Sequence, residues 1–149
     1  MTVFNAAVEI LRRGRTPEIS ARTALVCGEQ RLTYDELVRL VNRAANAFGA
    51  AGIGRGARVA LLFDESPLYV AALLGLMLRG AVAIPLNPRL RREDYAFVLG
   101  DAQTALFVLG DAYREVVGDL GNAAVLAANG SPESLEARVA GAPDRAQPA

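Results

Sequence analysis

From Arg58 to Leu109 the chain alternates short apolar runs with helical stretches, and a parallel sheet is the fold that accommodates this rhythm. The runs are Arg58–Phe63, Ala81–Leu86 and Thr104–Leu109. They recur about every two dozen residues, too far apart for hairpins and far enough for a helix between each pair. Right-handed βαβ units in an α/β fold follow. Ser66-Pro67 supplies an N-cap and a first-turn proline for the first connecting helix, which Gly80 ends after Arg79. That helix is apolar nearly all round, so it is expected between layers. The second connection starts at about Arg92 and groups Tyr95, Val98 and Leu99. Asp111 is placed to cap a third helix carrying Tyr113, Val116, Val117 and Leu120 at i, i+3, i+4 and i+7. Ala123–Ala127 reads as a last, weaker strand. The units share no self-similar sequence, which excludes a repeat array.

Before Arg58 the pattern is less regular. Asn5 can cap a short helix with Val8 and Leu11 on one side. Thr23–Cys27 reads as a strand, turned by Gly28 to Gln30 into a return strand over Arg31–Thr33. Thr33 and Glu36 have the T-x-x-E spacing of a capping box. The helix it opens runs to about Ala51, with Leu37, Val41, Ala44 and Phe48 on one face and Arg39, Asn42, Arg43 and Asn46 on the other. Gly52 ends it. At the far end, Ser131-Pro132-Glu133 can start a helix to about Val139. The organisation expected is one α/β lobe over residues 1–140 and a disordered Pro/Ala/Gly tail over 141–149.

Composition excludes several functions. The 149 residues carry 16 basic and 16 acidic side chains, so no net charge favours nucleic acid or an anionic membrane. There is no His, which removes Ser-His-Asp and Cys-His catalysis and every His-ligated metal site. The single Cys27 permits no internal disulfide. Arg12-Arg13 follow the first apolar stretch rather than precede it, unlike a signal peptide. The run Leu68–Leu78 is shorter than the roughly 20 residues that span a bilayer. A cytoplasmic protein is expected.

Few side chains offer chemistry. Gly52-x-Gly54-x-Gly56 follows a helix and precedes a strand, the reverse of a dinucleotide-binding loop, so a turn is favoured. Asn129-Gly130-Ser131 reads as a turn and cap rather than a glycosylation acceptor. Cys27, in an apolar strand with no basic neighbour, is expected to be a buried thiol rather than a nucleophile. Arg89, Arg91 and Arg92 form the densest basic group; they are favoured as a solvated loop and helix start over a phosphate contact. Asp64 and Glu65 end a parallel strand, where α/β ligands often bind, but Asp64 is favoured as a helper in capping the helix at Ser66.

Two segments, Leu32-Thr33-Tyr34-Asp35-Glu36-Leu37 and Leu78-Arg79-Gly80-Ala81-Val82-Ala83-Ile84-Pro85-Leu86-Asn87-Pro88, carry a family likeness. So, in order and spacing, do Asn5-Ala6-Ala7, Arg22-Thr23-Ala24-Leu25, Val41 to Phe48, Arg58 to Leu62 and Glu93 to Leu99. The chain resembles the N-terminal portion of the AMP-forming acyl- and aryl-CoA ligases, in particular the benzoate-CoA ligase group. The resemblance implies a reaction in which a carboxylate attacks the α-phosphate of ATP and coenzyme A then displaces AMP. It implies ATP, Mg²⁺ and coenzyme A for the full-length family. That chemistry needs a Ser/Thr/Gly-rich loop ending in Lys, acidic and ribose-binding residues, and a Lys on a mobile C-terminal domain. None of these is present, and all 16 basic residues are Arg.

The expectation is therefore the N-terminal lobe of an acid–CoA ligase, with an aromatic acid such as benzoate as substrate of the whole enzyme. Alone it should be inactive. No catalytic, cofactor-binding or metal residue is assigned, and no cofactor is expected to bind this lobe by itself. Its expected partners are further copies of itself or the remainder of the ligase. Two alternatives stay open: a non-catalytic protein-interaction module derived from that lobe, and a small-molecule binder using the strand ends near Asp64 and Asn87.

Overall fold

A computed structural model of the chain describes residues 4–118 and 124–145. Its helices are α1 (Ala6–Gly14), α2 (Tyr34–Ala50), α3 (Pro67–Leu78), α4 (Arg92–Asp101), α5 (Arg114–Val117) and α6 (Leu135–Gly141). Its strands are β1 (Thr23–Cys27), β2 (Gln30–Thr33), β3 (Arg58–Leu62), β4 (Val82–Pro85), β5 (Leu106–Leu109) and β6 (Val125–Ala127). β1 and β2 form an antiparallel hairpin apart from the main sheet. The main sheet is parallel throughout, in the order β4-β3-β5-β6.

Strand alternation sorts the core into two layers. Val59 and Leu61 of β3 and Val108 of β5 meet α1, α2, α3 and α6 on one face. Ala60, Leu62, Phe107 and Leu109 meet Tyr95 and Leu99 of α4 and Val117 of α5 on the other. Both faces are covered, which is why β3 and β5 are apolar runs rather than alternating ones. Each fully buried Leu, such as Leu61 or Leu76, contributes about 1.5–3 kcal/mol of apolar burial. α2 and α3 approach so closely that a side chain on Gly75 would lie 2.9 Å from the backbone nitrogen of Ala45.

The capping box is complete: the Thr33 hydroxyl accepts from Glu36 N, and the Glu36 carboxylate accepts from Thr33 N at 2.7 Å. Ser66 Oγ accepts from Tyr69 N at the start of α3, with Pro67 in the first turn. Pro85 suits the free edge of β4. Val82 and Leu86 donate to Ala57 and Leu61, so alternate residues of β4 face β3 and position 85 faces outward, where a missing N–H costs nothing and blunts the edge.

Several expectations need correction. α3 buries only Ala71, Ala72, Gly75 and Leu76; its other residues are half-buried, because one side of the helix lies away from α2 and the sheet. In α1, Ala7, Leu11 and Gly14 face the core and Val8 is exposed. The third connection is a 3₁₀ turn, Asp111–Tyr113, followed by the single-turn α5, with Gly110 rather than Asp111 preceding it. Its expected member Leu120 lies outside the described residues, as does Ala123. α6 starts at Ser134, whose Oγ accepts from Ala137 N; the Ser131 carbonyl instead accepts from Ser134 N in a turn.

The largest departure concerns Asn42 and Asn46. They sit on the polar stripe of α2, yet are 1% and 7% exposed. Asn42 Nδ2 donates to the Asp144 carbonyl, and Asn46 Nδ2 to those of Pro143 and Arg145, at 2.7–3.0 Å. Residues 141–145, expected to begin a tail, are thus strapped along α2; 146–149 lie outside the described residues. Among the described residues no helix is long and apolar enough to cross a membrane.

Candidate functional site

In an open parallel sheet the natural ligand crevice lies at the carboxyl ends of strands whose outgoing connections leave to opposite faces. Here those strands are β3 and β5. The chain leaves β3 into α3 on one face and leaves β5 into α5 on the other. The protein fills this crevice itself. The Tyr113 hydroxyl donates to Asp64 Oδ1 at 2.7 Å across the gap. That bond to a carboxylate holds the phenol pKa above its ordinary value, because it favours the protonated form. Gly110 N donates to the Leu62 carbonyl. A side chain at Gly110 would lie 2.9 Å from Phe63 Cβ. The Phe63 and Tyr69 rings pack with centroids 4.9 Å apart. Asp64 therefore ties two loops together, and Ser66 alone supplies the side-chain cap of α3.

Beside the sealed crevice lies an open cleft of about 410 Å³. The carboxyl ends of β3 and β6, the first turn of α3, the middle of α2 and the end of α6 bound it. Leu40, Phe63, Pro67, Leu68 and Val139 give it apolar walls, and Gln30, Asn129 and Glu136 a polar rim. Arg43 reaches in from α2. Its Nε is buried and has no hydrogen-bond acceptor among the described residues. A buried donor left unsatisfied costs about 1–3 kcal/mol. Sequence reasoning placed Arg43 on a solvated helix face, and only the tertiary position of α3 and α6 changes that.

The other candidates disperse. Cys27 is exposed, not buried, because its strand belongs to the peripheral hairpin; its Sγ lies 3.9 Å from the Glu65 carbonyl oxygen. Arg91 pairs with Glu93 and Asp94, each at 3.4 Å, and Arg92 donates to the Glu115 carbonyl. Asn87 accepts from Arg89 N through Oδ1 and from the Tyr95 hydroxyl through its carbonyl. Gly52 and Gly56, both at φ +78°, turn the chain between α2 and β3, at the opposite end of the sheet. Gly130, at φ +81°, turns the chain after β6.

Known proteins give this geometry a context. A family model described as AMP-binding enzyme matches residues 15–148. The chain is 38% identical to a 3-hydroxybenzoate–CoA ligase of Aromatoleum sp. (strain CIB), over 95% of this chain and 28% of that protein. It is 41% identical to a 3-hydroxybenzoate–CoA/4-hydroxybenzoate–CoA ligase of Thauera aromatica, over 78% of this chain and 23% of that protein. Its fold superimposes on a benzoate CoA ligase from Burkholderia xenovorans LB400 with a TM-score of 0.83 and 21% identity, covering 95% of this chain and 29% of that one. The chain thus spans less than a third of the length of these relatives.

The residues present do not fit the nucleotide, Mg²⁺ and coenzyme A that such relatives imply. There is no Lys, Arg91 and Arg92 are engaged by the protein, and among the described residues no three metal-ligating side chains converge. No step is derived through those groups.

Proposed function

This chain belongs to the AMP-binding enzyme family, and from that membership we propose that it is the N-terminal lobe of an ATP- and Mg²⁺-dependent, AMP-forming ligase that joins an aromatic acid to coenzyme A. The observation that carries the reading is 38% identity to a 3-hydroxybenzoate–CoA ligase across 95% of the chain. In the whole enzyme a carboxylate oxygen attacks the α-phosphorus of ATP and pyrophosphate leaves; the coenzyme A thiol then attacks the acyl carbon and AMP leaves. The lobe supplies scaffold to that reaction rather than reacting groups, so no residue is given a catalytic role. Residues 1–140 are the α/β unit, it works in the cytoplasm, and its partner is the remainder of a ligase.

The test is ATP–pyrophosphate exchange by the isolated chain, with benzoate, 3-hydroxybenzoate and aliphatic acids. Exchange should stay at the no-protein baseline. Acid-dependent exchange above it, in a preparation free of host ligases, would refute the assignment of a scaffold role.

A further inference from the structure

We propose that the Arg43 cleft is the seat of a polypeptide segment from the remainder of an AMP-forming ligase, which presents a backbone carbonyl or carboxylate to Arg43. The proposal rests on the reading of this chain as a ligase lobe. Three observations support it. The first is the orphaned Nε of Arg43, a buried donor that the lobe itself leaves without an acceptor. Asp64 and Glu136 line the same cleft, yet Asp64 is taken by Tyr113 and neither carboxylate meets that nitrogen.

The second is the composition of the cleft. Apolar walls around one Arg, rimmed by Gln30, Asn129 and Glu136, match the anatomy of a protein interface, with an apolar centre, a desolvated Arg anchor and a polar edge. A small anion fits this surface less well, because two carboxylates line it.

The third is what is missing around it. The Aromatoleum relative is covered over only 28% of its length, so most of a ligase of that kind must pack on surfaces of this lobe. The cleft opens at the carboxyl edge of the sheet, between β3 and β6, where the switch-point crevice is already closed by Asp64 and Tyr113. It is the place at that edge where the lobe offers both apolar surface and an unmet hydrogen bond.

The experiment co-expresses the 149-residue chain with the uncovered portion of the Aromatoleum ligase, tagged, and measures complex formation for wild type, Arg43→Met and Arg91→Met. Arg91 is an exposed control outside the cleft. The expected result is a 1:1 complex, weakened at least about tenfold by Arg43→Met and unchanged by Arg91→Met, where tenfold corresponds to about 1.4 kcal/mol. The free lobe is melted in parallel. Arg43→Met should leave its melting temperature unchanged or raise it, since it removes an unsatisfied donor; a structural arginine would lower it. Equal affinity of wild type and Arg43→Met overturns the proposal while leaving the ligase reading intact. Absence of any complex overturns both. Two further outcomes also overturn it: a homodimer that Arg43→Met dissociates, which makes a second copy the occupant, and a rise in melting temperature with sodium benzoate that Arg43→Met abolishes, which makes the cleft a small-anion site.

Discussion

Two neighbouring regions of the carboxyl edge behave in opposite ways. Between β3 and β5 the lobe has closed its own crevice, with Asp64 held by Tyr113 and Gly110 set against Phe63. One step away, between β3 and β6, it leaves an open cleft with a buried arginine nitrogen unmet. The first region satisfies its polar groups internally and needs nothing else. The second is satisfied only when something is added. Position at strand ends, which sequence alone offers as the sign of a ligand site, does not separate the two; hydrogen-bond completeness does.

Substitutions can break the closed region. Gly110→Val should cost most, about 3 kcal/mol, because its side chain must displace Phe63 from the end of β3. Urea unfolding of the isolated chain measures it, and a loss below about 1 kcal/mol would mean that the crevice is looser than described. Asn46→Ala should come next, at about 2 kcal/mol, since it strands the carbonyls of Pro143 and Arg145 against α2. The same unfolding series reads it, and limited proteolysis should then cut near residue 143.

Tyr113→Phe should cost less than either, because its hydroxyl and Asp64 are accessible to water. The sign of its pH dependence is fixed. The folded phenol titrates above its ordinary value, so the stabilisation from the Asp64 bond is fully present below about pH 10 and is lost as pH rises through the folded pKa. Asp64→Asn should bring the Tyr113 titration back down, read by tyrosinate absorbance against Tyr113→Phe. The smallest effect belongs to the cap of α2, remote from both regions. The two Thr33 hydrogen bonds, led by the backbone N–H, lower the Glu36 pKa. Its contribution is present above about pH 4.3 and is lost as pH falls through the lower folded value. Glu36→Gln should flatten that part of the acid unfolding curve.

The scaffold was legible in the sequence where local chemistry and tertiary need agree. The apolar runs of β3 and β5, the Ser66-Pro67 start, the Thr33–Glu36 box and the Gly52 and Gly80 stops each act within a few residues. What escaped depends on contacts distant in sequence. Asn42 and Asn46 look solvated on a helical wheel and are buried only because residues 143–145 return to α2. Cys27 looks buried in an apolar strand and is exposed because the hairpin stands apart from the main sheet. Arg43 follows the same rule: nothing between Leu40 and Phe48 announces that α3 and α6 will close around it.

The most direct test of the contrast is amide hydrogen exchange on the lobe, alone and in complex with the uncovered portion of the Aromatoleum ligase. The expected result is new protection over residues 40–43 of α2 and 136–140 of α6, with residues 110–113 unchanged between the two states. Protection at 110–113 with none around Arg43 would place the partner on the region described as closed, and would contradict the account.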